Sequence, residues 1–94
     1  MGYIMTQKIY EDEIYVSYSY SHDSDIKVGI IKIKKEFYDG DNFDEWYKNN
    51  LIELKPSVTD FKSNHFAMNV ILFLAEICGN ENPEFPDKKM FAYG

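Results

Sequence analysis

Three stretches near the start of the chain read as strands, and two later stretches repeat apolar residues at helical spacing. The clearest strand is 14–21, where Ile14, Val16, Tyr18 and Tyr20 alternate with Tyr15, Ser17, Ser19 and Ser21. One face of that strand is apolar and the other mostly hydroxyl. Residues 3–10 give a weaker first strand, mixing Tyr3, Ile4, Ile9 and Tyr10 with Thr6, Gln7 and Lys8. Glu11-Asp12-Glu13 is the polar break of a hairpin turn, and His22-Asp23-Ser24-Asp25 turns the chain again. In the third strand Ile26, Val28 and Ile30 share one face, whereas Ile31 and Ile33 fall on the other. A strict period of two cannot bury both sets on one side. A bulge between Gly29 and Ile31 is therefore expected to shift the phase; a strand covered on both faces is the alternative. Links this short exclude parallel crossovers, so the three strands are read as an antiparallel meander.

Helical periodicity follows. Asn42 with Glu45 three positions on matches a capping box, and Phe43, Trp46, Tyr47, Leu51 and Leu54 then form one apolar face over 43–54. Ile52 falls opposite that face. Pro56 separates this helix from a second one within 57–79. Ser57-Val58-Thr59-Asp60 resembles another helix-opening box, and Gly79 is placed to close the helix in a left-handed conformation. Apolar residues from Phe61 to Cys78 cover most of its circumference, leaving a narrow stripe of Lys62, His65, Asn69 and Glu76. So wide an apolar arc predicts cover on at least two sides. The uninterrupted run 70–75 is far short of the roughly 20 residues a membrane span needs, so this is a core helix and no membrane partner is expected. Beyond Gly79, Pro83 and Pro86 make 80–87 a loop. The fold expected is α+β, a single domain over 1–94. It has a three-stranded antiparallel meander, or four strands if 88–93 adds a short C-terminal edge, with two helices packed on one face (β-β-β-α-α).

Composition sharpens this. Eight Tyr, seven Phe and one Trp let a chain of 94 residues bury a large apolar area. The lone Cys78 rules out an intrachain disulfide and lies on the apolar arc, which reads as a buried free thiol. The first residues carry no secretory pattern, so a cytoplasmic setting is expected. All ten basic residues are lysines. With the wealth of Ile, Asn, Tyr and Phe, that points to an A+T-rich coding sequence of the kind found in low-G+C bacteria and their phages. It also removes the planar fork that grips phosphates and guanine edges. The net charge of −6 argues against direct nucleic-acid or anionic-membrane binding. That charge is uneven: four lysines and no acid in 26–35, then five acids and no base in 36–45.

Candidate chemistry is thin. Asp39-Gly40-Asp41 begins like a calcium loop, but the positions that must carry further ligands hold Phe43 and Asn50, so no metal or cofactor is expected. His65, with Asn69 one turn on, has a candidate orienting partner. Cys78 lies more than three turns further along and on the other side, out of reach as a nucleophile. Phosphate loops, H-E-x-x-H, C-x-x-C and G-x-S-x-G are all absent from the sequence. No catalytic residues are assigned; a small enzyme using His65 ranks third among the readings and a housekeeping domain of a complex fourth. The leading expectation is a noncatalytic protein-binding module of the inhibitor, immunity or regulatory kind. Tyr15, Ser17 and Ser19 would supply contact area, and Asp41, Asp44 and Glu45 would steer a basic patch on the partner. An acidic nucleic-acid mimic, occupying the groove of a DNA- or RNA-handling enzyme, is the alternative. A free sheet edge also offers a route to a homodimer.

Overall fold

Alternation in β2 (Tyr15–His22) becomes a face of fully buried Val16, Tyr18 and Tyr20 in a computed structural model of the chain, which describes residues 2–22, 28–57 and 65–93. Four further strands join it: β1 (Gly2–Glu11), β3 (Gly29–Lys34), β4 (Leu51–Lys55) and β5 (Lys88–Tyr93). Helices α1 (Phe43–Asn50) and α2 (His65–Cys78) complete an α+β fold of order β-β-β-α-β-α-β. The strands make one sheet in the order β4-β3-β2-β1-β5, every neighbouring pair antiparallel. Among the described residues there are five strands, rather than three or four, and 88–93 is an edge strand paired with β1.

The additional strand comes from the predicted helix over 43–54. Helix α1 stops at Asn50, and Leu51 turns extended (φ −75°, ψ 120°). Leu51-Ile52-Glu53-Leu54-Lys55 suits either period, so the decision is made by β3. Its outer edge would otherwise expose a row of unpaired backbone groups. Strand β4 pairs that edge from Ile30↔Lys55 to Ile33↔Leu51. Two other expectations also give way. The register of β2 with β3 runs unbroken from Tyr15↔Lys34 to Tyr20↔Gly29, so no bulge lies between Gly29 and Ile31. The bulges fall instead at Ile9 of β1 and Ile52 of β4, and both residues are exposed. Ile31 and Ile33 take the core, while Ile30 faces the other way, half-buried, and Val28 is exposed. Ile14, expected inward, is 51% exposed because it lies in the hairpin turn. There Asp12 Oδ1 accepts the N–H groups of Ile14 and Tyr15 at 2.8 and 2.7 Å.

Gly79 does not take the left-handed conformation. Among the described glycines only Gly40 has a positive φ, and α2 ends on bonds from Gly79 N–H to the Glu76 carbonyl and from Asn80 N–H to the Ile77 carbonyl. A Cβ at Gly79 would sit 2.9 Å from the Tyr38 carbonyl oxygen, so close approach of the backbone explains the glycine. Residues 58–60 of the expected helix-opening box and 23–25 of the expected turn lie outside the described residues.

Helix α2 supplies Ala67, Val70, Ile71, Leu74 and Ala75 to the core, opposite Ile4, Val16, Tyr18, Tyr20, Ile31 and Ile33 of the sheet. It lies against β2 and β3, and α1 touches it, inserting the buried Trp46. Leu72 joins Asn69 and Glu76 on the exposed stripe instead of the core. Fourteen residues at about 1.5 Å rise give α2 some 21 Å. Four inter-strand gaps of about 4.8 Å come to 19 Å. The connection that contains α2 joins β4 at one edge of the sheet to β5 at the other. Each large apolar side chain fully buried in this layer contributes about 1.5–3 kcal/mol.

The two core tyrosines keep their hydroxyls satisfied. Tyr18 donates to the Pro86 carbonyl, and Tyr20 accepts the Ser57 N–H at 3.1 Å. Burial raises the Tyr18 phenol well above its ordinary range. Phe85 is buried beside Pro86, so the proline-containing loop is anchored rather than loose. At the same end of the sheet Glu11 lies between Lys35 (2.8 Å) and Lys8 (2.7 Å), whose ammonium groups hold its carboxyl below the usual range. Among the described residues no helix is long and apolar enough to cross a membrane.

Candidate functional site

The face of the sheet turned away from the core is built by the same alternation. Tyr15, Ser17 and Ser19 are on it because Val16, Tyr18 and Tyr20 point inward. Register then fixes their neighbours. Ser19 pairs with Gln7 and Ile30, Ser17 with Tyr10 and Lys32, and Tyr15 with Lys34. Met5 pairs with Met90 on β5. Tyr3, Met5, Tyr10 and Met90 are between 42% and 54% exposed, an unusual density of large side chains on one sheet face.

Tyr10 reaches this face only through the β1 bulge. Without the extra residue Ile9, even-numbered Tyr10 would follow Ile4, Thr6 and Lys8 inward; the bulge reverses it and sets it opposite Ser17. Its hydroxyl donates to Asp12 Oδ2 at 2.5 Å. That bond, with the two backbone N–H bonds in the turn, holds the Asp12 carboxyl down at about 2. Lys32 extends over both rings, its Nζ 4.7 Å from the Tyr15 centroid and 5.6 Å from that of Tyr10. A contact of this kind is worth about 0.5–1 kcal/mol at an exposed site. Ser17, paired with both Tyr10 and Lys32, is only 6% exposed. The result is a pair of rings that share one ammonium. Beside it Met5, Ser19, Ser21, Lys88 and Met90 line a depression of about 310 Å³. Sequence reading places Tyr15, Ser17 and Ser19 together and leaves Tyr10 as a second tyrosine not needed by the core; it does not put Tyr10 on this face and misses Met90, because bulge position and edge pairing carry no local signal.

The acidic residues lie elsewhere. Asn42, itself left-handed (φ 37°), caps α1 by accepting the Glu45 N–H at 3.2 Å, while its Nδ2 donates to Glu45 Oε2 at 3.0 Å. This is the box read from the sequence. Asp41, Asp44 and Glu45 are exposed around that helix start, and Trp46 Nε1 ties it to the Glu36 carbonyl (2.9 Å), two residues beyond the end of β3. The strand end that pairs with Tyr15 thus leads directly into the acidic segment, but no hydrogen bond joins Tyr15 to Asp41, Asp44 or Glu45 among the described residues.

The side chains of His22 and His65 lie outside the described residues, and with them the expected His65–Asn69 pairing. Among the described residues no three of His, Cys, Asp and Glu gather closely enough to hold a metal ion. Cys78 is buried, and burial pushes its thiol up to about 11. It should resist an aromatic disulfide reagent at neutral pH until the protein unfolds; rapid labelling of the folded chain would show the thiol to be accessible. Because the folded state disfavours the thiolate, the associated stability is complete below the ordinary value of 9.0 and is lost as pH rises toward 11. Comparison of the chain with protein-family models, with curated proteins and with solved structures finds no match.

Proposed function

We propose that the chain is a noncatalytic protein-binding module, of the inhibitor, immunity or regulatory kind, that docks another protein on the open face of its sheet. The observation that carries this reading is the exposure of Tyr3, Met5, Tyr10 and Met90 together on one face. Large aromatic and methionine side chains are over-represented in interface cores, where they add contact area at low entropy cost. The reading takes both helices to lie on the core side, in keeping with the contacts of α2 with β2 and β3 and of α1 with α2. Tyr15, beneath Lys32, anchors the partner, and Asp41, Asp44 and Glu45 at the start of α1 steer a basic patch toward it.

With a partner in hand, Tyr10→Ala and Tyr15→Ala should each accelerate dissociation, costing about 1–3 kcal/mol of affinity. Asp44→Lys with Glu45→Lys should chiefly slow association. Surface plasmon resonance separates the two effects, and an affinity unchanged by either set sinks the proposal. The exposed acids of α1 also support a second reading, mimicry of a nucleic acid. A mimic's affinity falls steeply with salt, whereas a tyrosine-anchored contact barely responds.

A further inference from the structure

The loop after β3 and the first turns of α1 border an open depression of about 320 Å³. Glu36, Asp39, Asp41 and Glu45 line it, and no basic residue does. Lys34 offsets only Glu36, at 3.0 Å. Acids at a helix start usually do no more than face water, so the decisive feature is Asn50. This residue is among those lining the same depression and is 2% exposed. Its Nδ2 donates to the Trp46 carbonyl at 3.0 Å, and its Oδ1 has no donor among the described residues. A buried acceptor without a donor carries a standing cost, and a guest's N–H relieves it by displacing the side chains that cover this oxygen.

The wall adds a second requirement. Tyr38 and Trp46 both line the pocket with their rings 5.9 Å apart, and Phe43 stacks on Trp46 at 22°. Carboxylates, an unpaired amide oxygen and aromatic rings together select a donor-rich, planar cation. A guanidinium meets that description: five N–H donors in one plane, weak hydration and stacking on aromatic faces. An ammonium is a compact, strongly hydrated point charge. We propose that this pocket receives the guanidinium of an arginine side chain presented by another protein. This chain contains no arginine, so neither the chain itself nor a second copy can supply the guest. The proposal does not depend on docking at the open face.

Trp46 is the single tryptophan, so its fluorescence, excited at the red edge clear of the tyrosines, reports occupancy. The probes are capped Gly-Arg-Gly, its lysine and citrulline counterparts, guanidinium chloride at matched low concentration, and calcium chloride. Arginine peptide should give a saturable change. The lysine peptide should bind at least tenfold more weakly, and neutral citrulline should give no response. Asp41→Asn with Glu45→Gln should weaken the arginine peptide at least tenfold at an unchanged melting temperature, since each amide keeps an oxygen for the local bonds. If that pair melts early, Asp39→Asn replaces it with the same expectation. Equal responses to arginine and citrulline, or to arginine and lysine, overturn the assignment. Guanidinium ion binding as tightly as the peptide overturns the protein source, and calcium producing the same saturable change makes the site a metal site instead.

Discussion

Leu74→Ala is expected to lower the stability of the folded chain by roughly 2–5 kcal/mol. Leu74 is fully buried on α2, in the cluster that joins Val70, Ile71 and Ala75 to the inward residues of β2 and β3. Truncation removes the transfer free energy of three methyl-sized groups and leaves a cavity that a helix flanked by the sheet and α1 cannot collapse to fill. Domains of this size are stable by only about 5–15 kcal/mol, so the loss is a large share of the whole. Denaturant melts should show a lower midpoint at an unchanged slope. A loss under about 1 kcal/mol would mean that Leu74 does not occupy the core.

Gly29→Ala is expected to cost about 2–4 kcal/mol, although it adds one methyl group to a strand. Gly29 is opposite Tyr20, and a Cβ there would lie 2.2 Å from Tyr20 Cε1 and 2.7 Å from the Lys55 carbonyl oxygen. Neither neighbour yields easily. Tyr20 is fully buried and its hydroxyl holds the Ser57 N–H, while Lys55 belongs to the β3–β4 ladder through Ile30. The methyl group must displace the ring or part the strands. Combining Gly29→Ala with Tyr20→Ala tests the mechanism, because removing the ring should make the glycine substitution at least about 1 kcal/mol cheaper. Additive losses would show that the ring is not what Gly29 accommodates.

Much of the architecture was legible in short-range pattern. The inward set Val16, Tyr18 and Tyr20, the polar hairpin turn at Asp12, the Asn42–Glu45 box and the apolar character of α2 all follow from which side chains favour water and which satisfy a neighbouring backbone donor. Ile14 and Leu72 show the limit of that logic. Each fits the apolar phase of its element, yet the turn at Asp12 and the exposed edge of the α2 arc leave both in solvent.

The candidate surfaces divide in the same way. That Tyr15, Ser17 and Ser19 share a face is a property of the two-residue repeat, and that Asp41, Asp44 and Glu45 surround a helix start is a property of capping. Tyr10 joins the tyrosine face only because a bulge at Ile9 reverses the phase of β1, and Asn50 lines the acidic depression only because the segment after β3 packs against α1. Neither event has a local signature.

By itself, the sequence determined local periodicity, the caps and the apolar residues that must leave water. The tertiary structure decided how 51–55 is used, where the bulges fall, and that 88–93 closes the far edge of the sheet against β1. The reason is physical. Burial preference and capping act within a few residues and are written in adjacent letters. A strand edge instead needs hydrogen bonds from whichever segment the chain brings alongside it, and that segment is known only once the connection from β4 to β5 has placed 88–93 at the opposite edge.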